Sequence, residues 1–225
     1  MEKTQPRIRI GITEMDFHHN GTILTAGHPF YGPANLKTLQ ELIKKDGGKE
    51  PTAPELTSFV HEYFNGNEPQ AQEVTQIMKD GYFRGFTGIL YVPKEEIAHF
   101  IDYPEFDEKS IVDKDNLLKR LNESRAQVPF KYLKSGAVAV EWREVGKHPY
   151  FVAWAGSEEG AGKLAELASK HSQKEAYIFV PDFSDLKEPI ARVASLDVDW
   201  DGDGLGVCSN DLGYYGGGCA FRVKN

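Results

Sequence analysis

The chain has 225 residues, of which 40% are hydrophobic and 27% charged, and its formal net charge is −8 at pH 7. This composition excludes a disordered chain, and the negative field opposes a nucleic-acid backbone as a general partner. No apolar run approaches the roughly 20 residues of a membrane-spanning helix, and the first residues lack a signal-peptide pattern. We therefore expect a soluble, cytoplasmic protein that binds neither nucleic acid nor membranes.

The first predicted elements are two strands joined by a tight turn. Apolar residues alternate over residues 8–12, and the parity then shifts at Met15 and Phe17. A strand cannot change its buried face without an irregularity, so we expect a bulge or break near residues 11–14. Asn20-Gly21 is typical of a two-residue hairpin turn, after which the chain returns as a second strand.

This hairpin carries a candidate catalytic or metal-binding set. If the first strand is continuous, Glu14, Asp16 and His18 share one face, and such a set could bind a transition metal or perform acid–base chemistry. The expected break puts that geometry in doubt. The alternative is an ordinary polar hairpin surface.

Three helices are predicted next. The first covers residues 35–45 and stops before a Gly-Gly pair. Thr52 can cap the second, and Glu55 can complete a capping box. The third runs from about Pro69 to Lys79.

Strands dominate the rest of the chain, with a fourth helix that Asp113 can cap. Ser157 can cap a further helix between strands predicted at 150–155 and 176–180, which gives one βαβ unit at about 150–180. The other predicted strands cover 86–92, 97–102, 128–133, 137–142, 189–200, 205–209 and 219–223. The sequence therefore predicts an α+β fold, with helices on a mixed, largely antiparallel sheet in a single domain, 1–225. Two subdomains divided near 124–128 are the alternative.

Four aspartates, Asp197, Asp199, Asp201 and Asp203, occupy alternate positions before the sequence GLGVCSN. They resemble the first half of an EF-hand loop, but position 12 is Cys208 instead of a bidentate glutamate. We favour a solvent-facing strand edge that runs into an Asp-Gly turn. The alternative is a site for a divalent cation, calcium or magnesium, formed by these four carboxylates.

The C-terminal residues suggest two further features. The glycine-rich segment 212–218 is interpreted as a hairpin connection, although glycines permit close approach of a ligand and Tyr214 and Tyr215 could stack on a ring. If the strands that flank this segment pair, Cys208 and Cys219 lie side by side.

No motif with correct spacing identifies an enzyme or a cofactor. We therefore favour a module that binds a ligand or a partner. The rival hypothesis is a metal-dependent hydrolase that uses Asp197–Asp203 or Glu14, Asp16 and His18. A homo-oligomer that buries an aromatic patch around Tyr82, Phe83 and Phe86 is a third possibility.

Overall fold

The computed structural model describes residues 14–134, 136–171, 173–183, 185–198, 204–213 and 216–224. Runs of strands and runs of helices follow one another along these residues in an α+β arrangement. The strands are β1 Glu14–His19, β2 Thr22–Gly27, β3 Tyr31–Ala34, β4 Tyr82–Val92, β5 Ile97–Asp102, β6 Ala126–Pro129, β7 Gly136–Glu141, β8 Glu175–Val180, β9 Ile190–Val198, β10 Leu205–Asp211, β11 Gly218–Ala220 and β12 Val223–Lys224. The helices are α1 Leu36–Lys45, α2 Ala53–Tyr63, α3 Pro69–Asp80, α4 Lys114–Lys119, α5 Trp142–Val145, α6 Pro149–Ala155 and α7 Glu158–Ser169.

The strands form two sheets. The larger has nine strands, seven of them in the order β3-β11-β4-β9-β10-β8-β7, and β5 and β6 extend it from β4. The smaller has the order β1-β2-β12. Most pairs are antiparallel, while β10 with β8 and β11 with β4 are parallel. The predicted α+β fold with a mixed, largely antiparallel sheet is confirmed.

The local sequence signals act as predicted. Asn20 and Gly21 adopt positive φ angles of 48° and 76°, which a two-residue hairpin turn requires. Thr52 and Glu55 form both hydrogen bonds of the capping box at the start of α2. The expected irregularity near residues 11–14 falls largely outside the described residues, and β1 begins at Glu14.

The predicted strand at Tyr150–Ala155 is wrong, because these residues form α6. The His148 side chain accepts a hydrogen bond from the Tyr150 amide at the helix start, and Pro149 occupies the first helical position. A continuous apolar run has no periodicity that separates a buried helix from a buried strand. The predicted βαβ unit at 150–180 is therefore two helices followed by β8, and the parallel partner of β8 is β10.

The nine-stranded sheet has apolar side chains on both faces. Its first face packs on α2, α3 and α5–α7 and forms the larger core. Its second face carries a smaller core with α1 and α4, built on the even-numbered residues of β4 from Phe86 onward and on Ala191 and Val193 of β9. Toward β10, β8 and β7 the second face becomes partly exposed, and Ala137 and Ala139 of β7 are exposed.

Candidate functional site

A cavity of about 550 Å³ lies on the second face of the large sheet, beyond the smaller core. We call it the Tyr82 groove. It is lined by Tyr82, Ser195, Asp197, Cys208, Asn210, Asp211, Gly216 and Gly217. An adjacent cavity of about 450 Å³ shares the Tyr82, Asp197 and Gly217 walls and adds Lys79 and Asp80.

Strand register brings these side chains to one face. Ser195 of β9 lies opposite Arg84 of β4 on one side and opposite Cys208 of β10 on the other. Asp197 of β9 lies opposite Gly206 of β10. Because alternate residues of a strand point to the same face, three neighbouring strands supply polar side chains to one surface.

A buried ion pair forms the floor of the groove. The Arg84 side chain is fully buried, and its Nη1 donates to Asp211 Oδ2. Its Nη2 donates to the Tyr82 hydroxyl at 2.9 Å, and its guanidinium carbon lies 4.8 Å from the Tyr82 ring centroid. Asp211 Oδ1 accepts from the Gly213 amide at 2.6 Å. One arginine therefore fixes the orientation of both the tyrosine and the aspartate.

Two glycines make room for these side chains. A Cβ at Gly206 would overlap the Asp197 carboxylate, and a Cβ at Gly218 would overlap the side chains of Arg84 and Tyr82. Both residues are buried. The glycines therefore allow Asp197 and Arg84 to lie flat across the neighbouring strands.

Burial favours the protonated forms of the thiol and the phenol that line the groove. Desolvation raises the pKa of the Cys208 thiol to about 11, and it also raises the pKa of the Tyr82 phenol. A thiol in this state is a poor nucleophile, because the thiolate is the reactive form. The groove therefore offers hydroxyl, thiol, amide and carboxylate groups as hydrogen-bonding partners.

The predicted aspartate row is only partly described. Asp197 is half-buried and lines the groove, whereas Asp199, Asp201 and Asp203 lie outside the described residues. Among the residues that are described, no group of three or more His, Cys, Asp or Glu side chains is placed to hold a metal ion. The cation site therefore stays a prediction.

The second predicted set, Glu14, Asp16 and His18, lies on β1 with Met15 and Phe17 buried on the opposite face. Its members contact different partners. Glu14 binds Lys224, Asp16 accepts from the Thr25 hydroxyl at 2.8 Å, and His18 Nδ1 lies 3.4 Å from Glu62 Oε2. The three side chains stabilise contacts with three neighbouring elements, and their catalytic or metal-binding role stays a prediction.

Two other predictions about this region are wrong. Cys208 and Cys219 are not side by side, because β4 and β9 lie between β10 and β11 in the sheet. Phe83 and Phe86 do not form an exposed patch, because both are fully buried on opposite faces of β4. The aromatic surface that was proposed as a homo-oligomer interface is therefore not exposed.

Arg84 and Asp211 are site residues that were not predicted from the sequence. A signal for Arg84 was present, since a charged residue inside the apolar strand Tyr82–Val92 requires a buried partner. That partner is 127 residues away in the sequence, and only the fold identifies it.

Searches with the sequence and the structure give one informative similarity. No protein-family model matches the sequence, and no curated protein matches it. The structure is similar to one described under "Accommodation of massive sequence variation in Nanoarchaeota by the C-type lectin fold", with a TM-score of 0.55 and 15% identity over 88% of this chain and 95% of that chain. The chain therefore has the architecture of a C-type lectin fold. Within the described residues, no helix has the length and apolar character needed to cross a membrane.

Proposed function

We propose that the chain is a binding module that holds a small ligand in the Tyr82 groove. The observation that carries this proposal is the convergence of polar side chains from three strands above the buried Arg84–Asp211 ion pair. A buried ion pair is weak evidence for stability by itself, so its position under a cavity favours a role in shaping the groove. A floor that is fixed before binding lowers the ordering cost that a ligand must offset.

The side chains of the groove favour ligands that donate hydrogen bonds. Asp197 contributes a carboxylate, Asn210 an exposed amide and Tyr82 an aromatic ring. Asp211 contributes a second carboxylate, which pairs with the buried Arg84. Amines and polyhydroxylated compounds, which can donate hydrogen bonds to these oxygen atoms, fit this chemistry.

The similar structure from Nanoarchaeota supports the proposal at the level of the scaffold. Its description concerns the accommodation of sequence variation by the C-type lectin fold. A fold that tolerates such variation suits a module in which a constant core carries a variable binding surface. The cytoplasmic location and a possible homo-oligomer stay predictions from the sequence.

A thermal-shift screen followed by calorimetry tests the proposal. We expect stabilising compounds among amines, amino acids and simple sugars, and we expect Asn210→Ala or Asp197→Asn to weaken their binding about tenfold or more. Glu158→Gln is the matched control, because it removes one charge from an exposed position of α7, on the helical side of the sheet. Ligands whose affinity is the same in all three variants would contradict binding in the groove.

A further inference from the structure

A second cavity, of about 530 Å³, lies between α1 and the chain that follows β5. We call it the Glu50 cavity. It shares no lining residue with the Tyr82 groove. Its walls include Gln40, Lys44, Glu50, Tyr103, Glu105 and Phe106.

The carboxylate of Glu50 is the unusual group in this cavity. Its side chain is only 9% exposed, and its ion-pair partner is Lys44, whose Nζ lies 3.5 Å from Glu50 Oε1. The Lys44 side chain is 61% exposed, so this contact must hold a mobile chain in one geometry. One long ion pair holds the Glu50 carboxylate less firmly than a set of short hydrogen bonds would, so a better cationic partner can replace it.

Glu55 provides the comparison within the same segment. Its side chain is 8% exposed, which matches Glu50. Unlike Glu50, it accepts hydrogen bonds from the Thr52 amide at 2.7 Å and from the Thr52 hydroxyl at 2.9 Å, and it pairs with Lys49 at 3.2 Å. The burial of Glu55 is therefore explained by the capping box, whereas that of Glu50 leaves room for a further cationic partner.

The other walls of the cavity suit such a partner. Glu105 adds a second carboxylate, so the three charged side chains of the cavity carry a net charge of −1 when Lys44 is counted. Tyr103 and Phe106 add aromatic rings, and the Tyr103 ring already has Lys49 Nζ at 5.0 Å from its centroid. Carboxylates beside aromatic rings favour organic cations, which combine ion pairing with cation–π contact.

We propose that the Glu50 cavity binds an organic cation, carrying an amidinium, guanidinium or ammonium group, that replaces Lys44 at the Glu50 carboxylate. The flat apolar part of the ligand lies against Tyr103 and Phe106. Lys44 acts as an internal competitor that occupies the carboxylate when the cavity is empty. The site is separate from the Tyr82 groove and does not depend on the function proposed for it.

Benzamidine and its neutral isostere benzamide test the proposal by calorimetry on the whole chain. We expect benzamidine to bind and benzamide to bind about tenfold more weakly or not at all, since only the cation pairs with Glu50. Glu50→Gln should weaken benzamidine binding about tenfold or more. Lys44→Met should strengthen it about threefold or more, because the competing ammonium group is removed.

The two variants should change benzamidine affinity in opposite directions. General damage to the fold would lower the affinity in both, so the opposite changes identify a binding role. Glu158→Gln, at an exposed position of α7 outside both cavities, should leave benzamidine affinity unchanged. Equal affinity for benzamidine and benzamide, or unchanged binding in Glu50→Gln, would overturn the proposal. If Glu50→Gln does not fold, the Lys44→Met variant and the two isosteres still decide, and weaker binding in Lys44→Met would also overturn it.

Discussion

The two faces of the large sheet have different compositions although the same strands form both. On the first face of β9, Ala194, Leu196 and Val198 are buried and apolar. On the second face, Ser195 and Asp197 alternate with them and line a cavity. The comparison indicates that this end of β9 packs into the larger core on one face and carries polar groups beside a cavity on the other, beyond the smaller core.

The floor of the Tyr82 groove is a buried polar part of the second face. Arg84 lies on the second face but is fully buried and paired with Asp211. The groove therefore consists of a fixed polar floor and an adjustable rim that includes Asp197 and Asn210. Substitutions at the rim should change binding, and substitutions at the floor should change both binding and stability.

The largest expected effect comes from Arg84→Met, which removes the buried cation from the floor of the Tyr82 groove. Removing the arginine leaves the Asp211 carboxylate buried without its cation, and such changes typically cost about 3–5 kcal/mol of unfolding free energy. Urea unfolding at pH 7 measures this loss. The double variant Arg84→Met/Asp211→Asn should recover part of it, because it leaves no buried charge. A loss below about 1 kcal/mol for the single variant would show that the pair does not organise the floor.

Adjacent residues on β9 sharpen the comparison, because they point to opposite faces. Leu196→Ala removes a fully buried side chain from the larger core and should cost about 2–5 kcal/mol. Asp197→Asn changes the rim of the groove and should stay within about 0.5 kcal/mol of the native stability. Thermal and urea unfolding of both variants provide the measurement. Equal losses for the two would mean that the second face contributes to the core as much as the first.

Local signals explain how much of the fold could be predicted. The capping box of α2 and the Asn20-Gly21 turn lie within four residues of sequence, so their geometry follows from residue types alone. The run at 150–155 has no such signal, because every position is apolar and the same letters suit a strand or a helix. Its assignment depends on the tertiary contacts of α6.

The candidate sites depended on long-range topology and were mostly beyond sequence reasoning. Cys208 and Cys219 would be neighbours if the strands that carry them paired, yet two strands separate them in the sheet. The partnership of Arg84 with Asp211 joins residues 127 positions apart. The aspartate row was recognised from its alternate spacing in the sequence. Spacing alone does not tell whether the carboxylates are buried, and burial decides whether they need a cation.

The addition of calcium has the smallest expected effect. It tests whether a cation bound by the aspartate row raises the melting temperature of the protein. Fully solvated carboxylates two residues apart on a strand repel by only about 0.6 kcal/mol, which needs no cation, although Asp197 itself is half-buried. Cys208, which stands where an EF-hand loop requires glutamate, lies in β10. We expect millimolar calcium or magnesium to leave the melting temperature unchanged within about 1 °C.

Asp199→Asn is the control for this titration. A rise in the melting temperature of the native protein that disappears in Asp199→Asn would instead support the cation site and the metal-dependent hydrolase hypothesis. Because a cation bound only by the folded state adds stability in proportion to its affinity, that result would make the second face a stabilising surface. The division of roles between the two faces would then hold only in the absence of metal.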